Sequence, residues 1–184
     1  MHDLKKYYKH VQGNIMPSEA LFLHGVIKMI DPKVVLEFGT LTCYSSANFL
    51  NAMNKKAKLY SCDINRKPEV NMISDDERFV FVKSDQSKFD PSIIKEGKVD
   101  FLFIDASHNL QANINTFQRV NFLLRPKSII AIHDTDKLAC QPDEVKFASW
   151  LGRFCNRIDF HDINGRKYGI SIFQKKYNNS IKMI

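Results

Sequence analysis

The chain closes with two strand-like runs, RIDFHDI and RKYGISIFQ, on either side of Asn164-Gly165. Asn-Gly strongly favours a type I′ turn, because both central residues must take positive φ, so a terminal β-hairpin is expected there. The rest of the chain alternates differently. Val34-Phe38 is a short run, apolar apart from Glu37, and it is followed by Ala47, Leu50, Met53 and Ala57 at helical spacing. KLYSCDI, RFVFVKS, VDFLFID and SIIAIHD read as second to fifth strands. Ser18 is a candidate N-cap for a helix reaching about Ile30. Leu110, Ile114, Phe117, Asn121 and Leu124 mark one face of an amphipathic helix, and DEVKFASWLGRF reads as another. Strands alternating with helices require crossover connections, hence a parallel sheet with helices on both faces. With the hairpin added, the expected fold class is α/β: a doubly wound sheet of seven strands, mostly parallel, with an antiparallel strand 7.

Length and composition suit one domain over 1–184, with a helical segment over 1–30 leading into a core over 31–176. Hydrophobic residues at 44% and charged residues at 26% exclude a disordered chain. No apolar run approaches the roughly 20 residues needed to span a bilayer, and MHDLKKYYKHVQG has no apolar signal core. The cytoplasm is the default expectation, without a membrane. Cys43, Cys62, Cys140 and Cys155 are widely spread, which argues against a zinc knuckle or a disulfide framework. A net charge of +7 raises nucleic acid as a partner, but the lysines gather in LKKYYKH, NKKAK and QKKYNNSIK, with no Arg-rich stripe interleaved with aromatics. A solvated basic surface is the simpler reading.

In an open parallel sheet, ligands bind beyond the carboxyl ends of the strands, where strand order reverses. Those ends carry Glu37 and Gly39, Asp63, Asp85-Gln86, Asp105 to His108, and His133-Asp134. An acid ending the second strand, like Asp63, is placed to bond both hydroxyls of a ribose. Asp85 falls where an adenine would lie, and Gln86 offers a donor and an acceptor. Gly39 lets backbone approach a ligand without an intervening side chain. A pyrophosphate turn would bring more glycines, so the ligand suggested is a nucleoside with a short zwitterionic tail.

LEFGTLTCYSS resembles the E-x-G-x-x-x-G-x-S motif of class I S-adenosylmethionine-dependent methyltransferases, and YSCDIN, KSDQ, VDFLFIDASH and IIAIHDTD follow in the order and spacing of that family's later motifs. The likeness is to the small-molecule O-methyltransferase branch (methyltransferase family 24-like), with a Rossmann-like core. It implies S-adenosylmethionine as cofactor and a hydroxyl on a small molecule or sugar as methyl acceptor. By the same resemblance Glu37 and Gly39 would line the methionine part, with Thr40 and Ser45 near its carboxylate. Asp63 would hold the ribose, Asp85 and Gln86 the adenine side, and Asp105 would lie near the sulfonium. Cys43 stands where the family has its second glycine, so a tighter turn is expected.

Two catalytic schemes stay open. His108 or His133 could accept the proton of the acceptor hydroxyl near neutral pH. Alternatively Asp105 and Asp134 could hold Mg²⁺, a hard cation suited to carboxylates; related metal-dependent enzymes place acids at matching positions. Simpler roles compete: His108 as a cap of the helix near Leu110, His24 and His161 as surface or structural groups, Trp150 and Phe154 as core. A nucleic-acid methyltransferase is an alternative function that the sequence DASH after strand four disfavours. A non-catalytic cofactor-binding homologue is another. Short loops, YYKHVQGNIM and TDKLACQPDEV, suggest an open pocket or one completed by a second copy of the chain.

Overall fold

The computed structural model describes residues 1–6, 13–136, 141–161 and 168–175. Seven strands form one sheet: β1 (Val34–Phe38), β2 (Lys58–Asp63), β3 (Phe79–Lys83), β4 (Val99–Ile104), β5 (Leu124–His133), β6 (Cys155–Phe160) and β7 (Ile170–Lys175). Their order is β3-β2-β1-β4-β5-β7-β6. β1 to β5 pair in parallel. β7 runs antiparallel to both β5 and β6, so the expected hairpin partners meet in register from Cys155 opposite Lys175 to Phe160 opposite Ile170. The Asn164-Gly165 turn itself lies outside the described residues.

Among the described residues four α-helices flank the sheet: α1 (Pro17–Ile30), α2 (Tyr44–Ala52), α3 (Leu110–Val120) and α4 (Pro142–Gly152). Because strand side chains alternate between faces, the core divides in two. Val35, Leu59, Phe101, Phe103 and Ala131 pack with α1 and α2, whereas Leu36, Tyr60, Leu102, Ile130 and Ile132 pack with α3 and α4. On the first face the Phe49 ring of α2 meets Phe101 and Phe103 edge-on, at centroid distances of 5.7 and 5.5 Å. Trp150 and Phe154 contact the second face, as expected of core residues. No helix among the described residues is long and apolar enough to cross a membrane.

Several boundaries differ from the sequence expectation. α1 begins two residues earlier than a Ser18 cap would allow: Met16 is the N-cap, Pro17 opens the helix, and the Glu19 carboxylate accepts the Met16 N–H at 2.7 Å. Proline at the first helical position forfeits no hydrogen bond and brings a suitable φ. α2 stops at Ala52, although Met53 and Ala57 are buried; their periodicity reports burial after the backbone has turned extended at Met53. Leu124 does not extend α3 but opens β5 opposite Val99. The links from β2 to β3 and from β3 to β4 carry only short 3-10 turns, at Pro68–Met72, Gln86–Lys88 and Pro91–Ile93.

Removing the buried Phe49 ring leaves a void between α2 and the sheet. Phe49→Ala is expected to cost about 3–5 kcal/mol, read as a lower urea midpoint with an unchanged slope.

Candidate functional site

Strand order reverses between β1 and β4, because the chain leaves β1 toward β2 on one side and β4 toward β5 on the other. The two strand ends approach closely there. Gly39 has φ +100°, and a Cβ on it would stand 1.9 Å from the Asp105 carbonyl oxygen. Beyond this contact opens a cavity of about 540 Å³, lined among others by Gly39, Asp63, Asp85, Gln86, Asp105 and His108. Its position follows the rule for doubly wound sheets.

The turn after β1 is tied down from beneath and from the side. Asp63 Oδ2 accepts the Thr40 and Leu41 N–H groups at 3.1 and 3.0 Å, and Oδ1 accepts Asn65 N–H. Cys43, the N-cap of α2, takes left-handed φ 63° and ψ 18°, a conformation a glycine adopts freely and other residues at a cost of about 1–2 kcal/mol. Its fully buried side chain packs in the α1–α2 core, and burial pushes the thiol far above its ordinary range. Cys43 thus takes a conformation open to glycine, and burial of its side chain offsets the backbone strain.

Glu37 lies under this turn and does not line the cavity. It is fully buried, and its carboxyl accepts hydroxyl hydrogen bonds from Ser45, Ser46 and Ser61 at 2.5 Å each. Burial raises it to about 7, against the pull of those hydroxyls. Ser45 is on the cavity wall, so Glu37 reaches the cavity through Ser45 Oγ. Thr40 also faces it, with Oγ1 bonded to Ser61 at 2.6 Å.

On the far side, Asp85 caps the Gln86–Lys88 turn through Ser87 N–H and Oγ. The Gln86 amide is already engaged: Nε2 donates to Asn113 at 2.8 Å, and Oε1 accepts Ser107 N–H at 3.3 Å. Its donor and acceptor therefore organise the start of α3, and Asp85 is the freer polar group on this wall.

Beside the ends of β4 and β5 lie two imidazoles among four carboxylates. His133 is 3% exposed and lies between Asp105 Oδ1 on Nδ1 and Glu19 Oε2 on Nε2, both at 3.0 Å. Burial works against its charge, but the two carboxylates outweigh burial and hold it well above the ordinary histidine range. His108 lines the cavity; its Nδ1 lies 3.4 Å from Glu144 and 3.8 Å from Asp134. The Glu144 contact raises its affinity for a proton. Asn113 Nδ2 steadies Glu144 at 2.9 and 3.0 Å. The cap of α3 is Asn109, not His108, which leaves His108 to the cavity. Glu19 and Glu144 carry no motif and were not among the expected site residues. Each is a buried acid inside a helix, with nothing in the local sequence to mark its partner.

The donors available for Mg²⁺ do not match that ion. Asp105, His133 and Asp134 offer ligand atoms within 4.8 Å of one another, but Mg²⁺ takes oxygen donors in octahedral geometry. Here the third donor is an imidazole with both nitrogens already held by carboxylates. The next polar neighbours are occupied too: Thr135 Oγ1 accepts Ser171 Oγ–H, and Asp136 pairs with His161. Asp134 Oδ1 is buried without a hydrogen-bond partner. The positive charge nearest to it is His133 Nδ1 at 3.6 Å, and burial raises this carboxyl toward its neutral form.

A family described as a methyltransferase domain matches residues 36–135, more than half of the chain. The chain belongs to this methyltransferase family. No curated protein matches it. Among solved structures, the O-methyltransferase TomG from Streptomyces achromogenes, in complex with SAM, aligns with a TM-score of 0.74 at 16% identity, over 96% of this chain and 91% of that one. Cofactor-bound Rv0187 from MTB aligns at 0.74 and 15%, over 95% and 87%. The O-methyltransferase from Bacillus cereus in complex with SAH aligns at 0.69 and 17%, over 90% and 84%. These likenesses establish the methyltransferase fold, a Rossmann-like sheet ending in an antiparallel β7.

Glu37 generates a pH signature. The folded protein holds its proton up to about 7, against an ordinary value of 4.5. Its contribution to stability is therefore complete below 4.5 and lost as pH rises through about 7. Glu37→Gln removes a decline of about 3 kcal/mol across that interval, read by comparing denaturation midpoints of variant and wild type at pH 4.5 and 8.

Proposed function

We propose that this protein is an S-adenosylmethionine-dependent O-methyltransferase that acts on a hydroxyl of a small molecule or sugar, in the cytoplasm. The observation that carries this reading is the cavity at the β1/β4 switch point, with Asp63 and Asp105 on its wall. Membership of the methyltransferase family, and neighbours crystallised with SAM or SAH, support it. In this assignment the Gly39–Leu41 backbone and Ser45, backed by Glu37, receive the amino-acid end of the cofactor. Asp63 keeps lone pairs for the ribose while holding the turn. Asp85 faces the adenine side, and Asp105 lies by the sulfonium.

Methyl transfer breaks the C–S bond of the sulfonium and forms a C–O bond, leaving a neutral thioether; the hydroxyl proton must go to a base. His108 is the group placed for this. Its Nδ1 faces Glu144 and Asp134, which leaves Nε2 for the acceptor. His133, with both ring nitrogens on carboxylates, is the less available base in this reading. General-base help of this kind is worth about 10²–10⁴ in rate, and alignment of the acceptor with the methyl group adds to it.

S-adenosylhomocysteine is expected to stabilise the protein by about 2.7 kcal/mol at a hundred times its Kd, read as a rise in Tm. Asp63→Asn, which keeps the side-chain volume, should shrink that rise; no rise in the wild type overturns the cofactor assignment. His108→Ala should leave the rise intact and lower kcat by about 10²–10⁴. With the acceptor in hand, kcat/KM should climb with pH through a value above the ordinary 6.5, since Glu144 raises the proton affinity of His108, and Glu144→Gln should move that limb to lower pH.

A further inference from the structure

Two aspartates end adjacent strands at the acceptor side of the cavity, an arrangement that on composition alone invites a divalent cation. The cluster supplies its own positive charge instead. Glu19 accepts Met16 N–H on Oε2 and Gly169 N–H on Oε1, at 2.7 and 2.9 Å. Two backbone donors on one carboxyl, with no exposure to water, fit an ionised acceptor. His133 Nε2 lies 3.0 Å from the same Oε2, and Nδ1 lies 3.0 Å from Asp105 Oδ1. A neutral imidazole has one donor and one acceptor nitrogen, so it could satisfy only one of two carboxylates; the cation satisfies both.

We propose that the His133 imidazolium, clamped between Glu19 of α1 and Asp105 at the end of β4, is the resident cation of the acceptor site, so that the site neither requires nor retains a divalent metal. Glu19 is then a positioning residue that acts through His133. The proposal deepens the functional reading above, since it concerns the same cavity.

The groups facing His133 from each neighbouring element fit this role. Glu19 comes from α1, Asp105 from the end of β4 and Asp134 from the end of β5, while the Tyr168 ring, just before β7, stacks over the imidazole at 6.0 Å and 18°. His108, the other imidazole nearby, is held off by Glu144 and Asp134. Three carboxylates thus converge on one imidazole. They leave a metal only Asp105 Oδ2 and Asp134 Oδ1 as oxygens of this group, with His133 as the third donor, too few for an ion that takes six oxygen ligands.

The bond from His133 also fixes the rotation of the Asp105 carboxylate. Its remaining oxygen is left for the cavity, where it can accept from the acceptor hydroxyl and face the sulfonium charge. Both electrostatic tasks of a metal, neutralising the acid pair and orienting an oxygen, fall to a side chain that cannot dissociate.

The test needs no knowledge of the methyl acceptor. Wild-type protein saturated with S-adenosylhomocysteine is titrated with Mg²⁺, Mn²⁺ and Zn²⁺, with heat and Tm as readouts, and its histidine ¹⁵N resonances are followed from pH 5 to 9. The expected result is no saturable heat, no metal-dependent rise in Tm, and a His133 ring whose two nitrogens stay protonated through neutral pH. Glu19→Gln should lower the His133 titration by about one to three pH units while the S-adenosylhomocysteine shift persists. A saturable metal response that Asp134→Asn abolishes overturns the proposal, and so does a wild-type His133 that is neutral at pH 7. Should Glu19→Gln fail to fold, the wild-type resonances and metal titrations still decide. Absence of any S-adenosylhomocysteine shift would instead sink the cofactor assignment, which separates the two failures.

Discussion

The site rests on one backbone contact. At Gly39 the end of β1 comes so near Asp105 that a single methyl group would collide with its carbonyl oxygen. Asp105 N–H bonds to the Phe38 carbonyl at 2.9 Å and Gly39 N–H to the Cys62 carbonyl at 2.9 Å, so the ends of β1, β2 and β4 are locked together at the switch point. Several polar groups on the cavity wall take their place from that junction. Asp63 reaches across to hold the turn, Ser45 rises from α2 with Glu37 behind it, and Asp105 lines the cavity.

Around this junction the protein buries an unusual amount of acid. Glu19, Glu37, Asp134 and Glu144 are all almost inaccessible, and an unpaired buried carboxylate is costly. Each is managed differently. Glu37 is surrounded by hydroxyls and raised by burial to about 7; Glu19 is kept ionised by His133 and two backbone amides; Glu144 rests on Asn113 and His108. The division separates groups that set shape from groups that handle charge. Glu37 shapes the turn, while of the two histidine–carboxylate clusters one is exposed to the cavity and one is sealed beneath it.

Much of this was legible along the chain. Strand ends at Glu37, Asp63, Asp105 and Asp134 stand out as acids closing apolar runs, and Asn164-Gly165 between two strand-like runs marked the antiparallel seventh strand. Roles were harder to read than positions. His108 and His133 looked equivalent as bases, since both are histidines beside strand-end aspartates. The tertiary structure separates them: the loop after β4 turns His108 to the cavity, whereas His133 falls beneath it. Gln86 looked like an adenine contact, but α3 brings Asn113 against it and takes up its amide.

The sequence by itself determined the layered α/β sheet, the location of the cavity and several of the side chains on its wall, because apolar runs, helical periodicity and strand-end polarity are local properties of the chain. Only the tertiary structure decided which side chains act together. Glu19 and His133 are 114 positions apart, Glu144 and Asn113 31 apart, and no spacing rule links such pairs. They meet because α1 packs across the sheet near the ends of β5 and β7, and because α4 lies against α3. The charge of an imidazole, and with it the need for a metal, depends on what surrounds it in space.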